Sequence, residues 1–482
     1  MKRASVKANF IYNMTYQVLN ILLPLITTPY ISSILGAANI GIYSYTYSMV
    51  STFVMIGSLG IGTYGQYEIA RCDDDKKAIS KGFWEIQAVK TISVSLIFAI
   101  YLALTFLYKE YSLYFLIQIP YFIAAILDIS WLYQGLENFK LVAIRNIIIK
   151  LLSLVAIFTL VKKSEDLVIY ILILCLSQVF GNLVMWMQLP KLVAFVKIEA
   201  KNIIHHIKPT FIYFIPTVAH QIYAVLSKTM LGAIGQSNEE NGFYEQGYKI
   251  INMVVTVINA YTVVMRSRMT VYFKRGDTEK IQSSIEKSSH FIAMLVFPMT
   301  FGLMATAKNL VPWFFGAGFE KVTYILYVFA PVFIFMGYSR LLGSHILTPS
   351  GRQSKSNIAQ CFAAAFNVVF NFILIPHLES IGAVISSVCA EIIIVGMYFW
   401  FVRKELSVIT IIKTSWKKLV ASVVMFFVVY PSHNILPATI VGSLCQISIG
   451  ALVYLLVLLI LQDSYLKSTV NSLINKFRRK VK

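Results

Sequence analysis

Leu35-Gly36 followed by Gly41-Ile42-Tyr43 returns as Leu231-Gly232 followed by Gly242-Phe243-Tyr244, about two hundred residues further along a chain made almost wholly of apolar runs. The match reaches upstream. Phe10-Ile11-Tyr12 opens the first copy and Phe211-Ile212-Tyr213 the second, each entering a long apolar stretch that contains a proline. A duplicated membrane unit points to a transporter, and in transporters built from repeats the substrate site lies at the seam between the copies.

The composition agrees with a bilayer setting. A hydrophobic fraction of 57%, a charged fraction of 13% and a mean hydropathy of +0.70 exclude a soluble globule, whose charged share is about a quarter. Windows of about 20 apolar residues, the length of a spanning helix, recur from end to end. The expected spans fall at roughly 8–35, 39–70, 84–107, 112–134, 142–161, 168–189 and 209–232, then 244–273, 288–308, 322–346, 356–376, 382–402, 418–436 and 440–461. The expected fold is therefore an all-α polytopic membrane protein of about fourteen transmembrane helices. Two six-helix bundles, 1–208 and 209–404, are related by the repeat, and 405–482 is an accessory helix pair with a basic tail.

Lys and Arg set the orientation. Placing Lys2, Arg3 and Lys7 in the cytoplasm also places there Arg71, Lys76, Lys77 and Lys81, then Lys191, Lys197 and Lys201, then Lys274, Arg275 and Lys280. Arg403, Lys404, Lys413, Lys417, Lys418 and the tail residues Arg478, Arg479 and Lys480 follow, while the opposite loops carry chiefly Lys109, Lys162, Lys163, Lys308 and Lys321. Both termini are expected to be cytoplasmic. The formal charge of +20 is spread over separate loops, so it reads as membrane topology and anionic-lipid contact, not as a nucleic-acid surface. The N-terminal stretch reads as a retained helix, because its apolar run is too long for a secretory signal and no small-residue cleavage site follows a short core.

Cys72, Cys175, Cys361, Cys389 and Cys445 are scattered and show no CxxC pairing, so no disulfide framework, metal site or cofactor is expected. No Gly-rich phosphate loop occurs, and energy for uphill transport must come from an ion gradient or a partner. Prolines lie within the spans: Pro24 and Pro29 in the first, Pro209 and Pro216 in the seventh, Pro298 in the ninth, Pro331 in the tenth. They mark either mobile gates in the equivalent first and seventh spans or merely the ordinary frequency of proline in membrane helices.

An ionisable side chain at bilayer depth is costly and faces a cavity or a partner. Lys90, Lys150, Lys228, Lys249 and Arg340 stand against Asp128, Glu245 and Glu391, a balance that favours a cargo bearing negative charge over a cationic drug. Lys228 either enters an outer-leaflet cavity or snorkels to the interface. Lys249 either joins it or is neutralised by Glu245, one helical turn earlier. Lys150 has Asp128 as its nearest plausible counter-charge, whereas Arg145, Arg266 and Arg268 read as interface anchors. Glu391, Glu245, Asp128 and His220 are the ion-coupling candidates; Glu391 and His220 read equally as structural partners. Asn13, Gln17 and Asn20 share one face of the first span, to hydrogen-bond sugar hydroxyls or to join helices, and Tyr244 is a further candidate polar contact.

These residues resemble the Wzx-type flippases, the polysaccharide transporter branch of the multidrug/oligosaccharidyl-lipid/polysaccharide exporter superfamily. Asn13 through Pro24 to Leu35-Gly36 is similar to the family's start, and Trp131-Leu132-Tyr133-Gln134-Gly135-Leu136-Glu137-Asn138-Phe139-Lys140, with Arg145-Asn146 and Lys150, to its fourth and fifth spans. Lys228-Thr229-Met230-Leu231-Gly232, Gly242-Phe243-Tyr244 and Lys249-Ile250 form the most family-specific segment. The resemblance implies a bacterial cytoplasmic-membrane protein that carries an undecaprenyl-diphosphate-linked oligosaccharide repeat unit from the inner to the outer leaflet by alternating access around a cationic cavity. It implies no enzymatic step, and a polysaccharide polymerase and glycosyltransferases as partners. Ser227 stands where the family commonly places an acid. The competing readings are an ion-coupled small-molecule or multidrug antiporter of the same superfamily, which the basic interior opposes, and a polytopic polymerase, which the short outer loops oppose.

Overall fold

The computed structural model describes residues 6–72, 75–107, 109–404, 406 and 408–468; within them the side chains of 6–18, 20, 21, 107, 139, 200, 215–224 and 408 are left out. The described residues form helices and no strand. In chain order these are α1 (Val6–Ser58), α2 (Ile61–Ala70), α3 (Lys76–Leu107), α4 (Ser112–Ile117), α5 (Pro120–Leu127), α6 (Ser130–Gly135), α7 (Phe139–Leu160) and α8 (Leu167–Gln188). There follow α9 (Ala200–Ile234), α10 (Asn238–Arg275), α11 (Thr278–Phe315), α12 (Glu320–Phe329), α13 (Val332–Leu342), α14 (Gln353–Val402), α15 (Val408–Val429) and α16 (Ile440–Ile460). Ten stretches are long and apolar enough to cross a membrane. Two of them hold two helices each, because α1 breaks at Gly36 (φ 71°) and α14 at Glu379 (φ 51°); with α9 and α15 the number of rods agrees with about fourteen. The chain is a multi-pass membrane protein.

By packing, the chain divides into two compact units, Met1–Gly242 and Phe243–Lys482. The division falls in the first turns of α10, well beyond the boundary near 208 expected from the sequence, because α9 packs with the first unit, against α1, α2 and α3. One clasp holds it there: His206 on α9 bonds Tyr64 Oη through Nδ1 at 2.6 Å and Glu85 Oε2 through Nε2 at 3.1 Å.

The repeated glycines also explain this packing. A Cβ on Gly41 would lie 1.6 Å from the Asn238 carbonyl oxygen, and a Cβ on Gly242 would lie 2.1 Å from that of Ala37. Ala37 precedes Gly41 by four residues, and Asn238 precedes Gly242 by four, so each copy's glycine receives the other copy's backbone in a reciprocal crossing. Gly232 lies face-on to Tyr45, whose Cδ2 would be 2.1 Å from an added Cβ. Beside it Ser48 Oγ and Thr229 Oγ1 are 2.8 Å apart. Close backbone approach is what small residues provide between membrane helices, where no hydrophobic force draws one helix to another.

Within the first unit the fourth span is broken, and the break is fully satisfied. Pro120 starts α5, which ends where Asp128 turns to extended backbone. The last four carbonyls of α5 need partners, since bilayer offers no water to replace them. Asn182 Nδ2 donates to Ala124 O (2.7 Å), Asp128 N to Ala125 O (3.3 Å), Gln87 Nε2 to Ile126 O (2.6 Å) and Trp186 Nε1 to Leu127 O (2.7 Å). Lys90 Nζ then takes the Asp128 carbonyl at 2.7 Å. Side chains of α3 and α8 thus rebuild what the helix lost.

In the second unit, α15 and α16 pack on α11 around Ala305, Ala421, Met425, Tyr454 and Leu458. A buried ion pair ties the far end: Lys418 Nζ lies 2.7 Å from Asp463 Oδ2 and 2.9 Å from His290 Nδ1, and Tyr465 stacks on the histidine ring at 5.4 Å.

Candidate functional site

A pair of arginines in the second unit has the geometry of an anion site. Arg340 lies in the last turn of α13, and its Nε donates to Asn259 Oδ1 on α10 at 3.2 Å. Two turns further along α10, Arg266 donates from Nη2 to Ser344 Oγ at 3.0 Å, in the turn that follows α13. Each helix therefore supplies one arginine and one neutral acceptor to the other. The turn that makes this possible is π-helical, Gly343–Leu347, and its first residue packs against Tyr398, which an added Cβ would meet at 2.8 Å. Widening the helix by one residue per turn brings Ser344 under the Arg266 guanidinium.

Arg266 is exposed and Arg340 half-buried. The two guanidiniums lie close enough to repel one another, and the oxygen that each of these bonds uses is uncharged. A guanidinium carries five N–H donors in a planar fork, of which these bonds take one each, so bidentate binding of a carboxylate or phosphate fits the remaining geometry. Tyr398 lies within the field of both Arg340 and Glu391, and accepts from Gln360 Nε2 at 3.0 Å while bonding Ser356 at 2.5 Å. Glu391 is buried in α14.

The other expected site residues take varied places. Lys249 lies 3.8 Å from Glu245 on the same helix, the neutralised arrangement, and 26% of its side chain stays exposed. Lys228, half-buried on α9, belongs to the first unit, and its carbonyl accepts from Asn241 Nδ2 at 2.9 Å. Lys150 is half-buried on α7. The expectations for Lys150, Lys90, Arg145 and Tyr244 are corrected. The charge beside Asp128 is Lys90, not Lys150: Lys90 is buried to 3%, committed to the α5 break, and so placed as a structural cation and not an anion ligand. Arg145 donates to Asn182 Oδ1 and lies in the field of Asp128, so it belongs to the same buried network and not to an interface. Tyr244 is packed at 1% exposure between Tyr248 and Phe329, with its hydroxyl 3.3 Å from Ser387 Oγ, which makes it core. The side chains of Asn13, Gln17, Asn20 and His220 lie outside those described.

Arg266, read from sequence as an interface anchor, is exposed and bonds Ser344, a contact that the linear reading did not include. Its spacing of seven from Asn259 was the available signal, since two turns on one helix put both on the same face. Among the described residues no group of three or more His, Cys, Asp or Glu side chains could hold a metal ion.

The sequence profile of a family described as "Polysaccharide biosynthesis protein" matches residues 6–265. A protein of Escherichia coli (strain K12) named "Putative O-antigen transporter" is 22% identical over 412 residues, covering 84% of this chain and 98% of its own. Among solved structures, the inward closed conformation of the lipid II flippase MurJ superposes with a TM-score of 0.71 at 16% identity, over 95% of this chain and 99% of that one. An inward-facing multidrug resistance MATE family transporter of the MOP superfamily superposes with a TM-score of 0.65 at 14% identity, over 84% and 99%. At these identities the two structures show a shared fold.

Proposed function

Because the chain belongs to the polysaccharide biosynthesis protein family, we propose that it is a flippase for lipid-linked oligosaccharides. Its cargo is an undecaprenyl-diphosphate-linked repeat unit, moved from the cytoplasmic to the outer leaflet of a bacterial cell membrane by alternating access, for capsule or other surface polysaccharide synthesis. Both termini face the cytoplasm, and residues 1–208 and 209–404 are the two copies of the repeat. The observation that carries the reading is the Arg266–Arg340 pair, two cations joined through neutral acceptors on membrane helices. A diphosphate supplies the negative charge and the paired oxygens that such a pair takes up.

Lys228, Lys249 and Lys150 are further cations for the same headgroup, and Asn13, Gln17 and Asn20 the sugar contacts. Glu391, buried in α14, is the first candidate for a coupling site, where ion binding would shift the populations of the two access states. No chemical step is involved. A polymerase and glycosyltransferases acting on the same carrier are the expected partners.

Leaflet-resolved translocation of a defined lipid-linked oligosaccharide in proteoliposomes, with imposed proton or sodium gradients, tests the function. Movement of the headgroup that Arg340→Gln lowers at least about tenfold is the expected result. Export of free cationic drugs with no movement of lipid-linked sugar would instead establish the antiporter reading, which the MATE-like fold keeps in view. Glycan lengthening by the purified chain would establish a polymerase.

A further inference from the structure

Beyond Gly41, α1 carries three tyrosines at alternate positions, and packing sends them to different faces. Tyr45 is sealed at 2% exposure in a core with Tyr101, Phe115 and Phe122. Tyr43 and Tyr47, four residues apart and so on one face of the helix, stack on each other with ring centres 5.5 Å apart. Tyr121 of α5 lies 5.2 Å from Tyr47, and Tyr170 of α8 lies 5.3 Å from Tyr43, edge to face. Four phenols from three helices of the first unit thus form one cluster.

The cluster is not closed as the Tyr45 core is. Tyr43 and Tyr121 are half-buried, and Tyr47 is 39% exposed. Nor does it lie in an aromatic belt at the membrane surface. Tyr47 follows the Gly36 break by eleven residues, and Tyr121 follows the start of its span at Lys109 by twelve. Each distance is about 16–18 Å along a helix, near the middle of a hydrocarbon layer about 30 Å thick. Hydroxyls at that depth are costly against lipid, so the open side of the cluster faces a polar space.

The chemistry of this wall narrows its ligand. The hydroxyls of Tyr43 and Tyr121 are hydrogen-bonded to each other, and Tyr121 also bonds the Cys175 thiol. The side chains acting most strongly on both are the neighbouring phenols and that thiol, all neutral. These groups give a phosphate no charge to pair with. They offer rigid stacking area at low entropic cost, with a hydroxyl at each tip that both donates and accepts. A pyranose matches both parts, since it presents an apolar C–H face to a ring and carries hydroxyls around its edge.

We propose that Tyr43, Tyr47 and Tyr121 form a sugar subsite of the first unit, with a pyranose ring of the cargo stacked on Tyr47. The subsite rests on the reading of the cargo as a lipid-linked oligosaccharide, and it gives the glycan a contact of its own, whichever residues hold the diphosphate.

Binding of undecaprenyl diphosphate, bare or carrying an N-acetylglucosamine disaccharide, to the purified full chain in detergent tests it. Ring stacking uses the C–H face that pyranoses share, so one disaccharide serves as the probe. Wild type should bind the sugar-bearing lipid about fivefold or more tighter than the bare one. Tyr47→Leu should remove that preference and leave affinity for the bare lipid unchanged, whereas Tyr47→Phe, which keeps the ring, should retain most of it. Equal binding of the two lipids by wild type overturns the subsite and leaves the flippase reading standing. A preference that survives Tyr47→Leu overturns it too, and so does an equal loss of both lipids in that variant, the mark of a packing residue. Wild type that binds neither lipid overturns the flippase reading together with the subsite.

Discussion

In the first unit Lys90 is buried among helices, gives its ammonium to the Asp128 carbonyl and has the Asp128 carboxylate in its field; in the second, Arg340 and Arg266 meet the neutral oxygens of Asn259 and Ser344 and repel each other. Both arrangements place positive charge on membrane helices. Lys90 completes a broken helix, so its charge is balanced within the fold. The arginines are held in place with their charge left unbalanced by these bonds. Whether a cation on a membrane helix is committed to the fold depends on what faces it, and residue type does not separate the two cases.

Removing the structural kind should cost most. Lys90→Met leaves the Asp128 carbonyl without its side-chain donor and removes the buried cation beside the Asp128 carboxylate, and should destabilise the protein by about 3–5 kcal/mol, read as a fall in melting temperature in detergent. A melting point unchanged by this substitution would dissolve the contrast. Lys418→Met should cost a similar amount, because Asp463 is then buried alone, whereas Lys418→Met with Asp463→Leu should recover most of the loss. Failure of the double variant to recover would show that the pair does more than neutralise itself.

Arg266→Gln and Arg340→Gln should behave in the opposite sense. Each should change stability by less than about 1 kcal/mol, since a neutral amide relieves the mutual repulsion and keeps hydrogen-bonding capacity, while translocation falls at least about tenfold, the loss of one charge-assisted bond. Unfolding in step with lost transport would place the arginines with Lys90.

The smallest effect is set by pH. Burial would raise the Asp463 carboxyl, but the Lys418 ammonium, the Leu466 backbone N–H and the nearby positive charge hold it below its ordinary value. Its stabilising contribution is then complete above about pH 4, the ordinary aspartate range, and is lost as pH falls through the lower folded value. Melting temperature should decline below about pH 4 in wild type, with a flatter slope in Asp463→Asn.

Much of the architecture was legible in the chain. The spans follow from runs of apolar residues and the Lys249–Glu245 pair from their four-residue spacing, whereas the Gly41 and Gly242 crossing came only with the structure. The pairings that assign roles were not legible. Lys90 reaches Asp128 across 38 residues, Lys418 reaches Asp463 across 45, and Arg340 reaches Asn259 across 81. Tyr244 was misplaced and the Arg266–Ser344 contact missed for one reason: helical periodicity gives a face, and only neighbours on other helices show whether that face meets a ring or a hydroxyl.

Apolar length, charge asymmetry and the duplicated glycines are local properties, and they were sufficient for a polytopic helical membrane protein with an internal repeat, since a bilayer admits few ways of satisfying a backbone. Tertiary packing decided the rest. It assigned α9 to the first unit, made Lys90 the cap of a broken helix, and set Arg266 beside Arg340 through a π-turn, because the energy of a charge in an apolar medium depends on the few ångströms around it and not on its place in the chain.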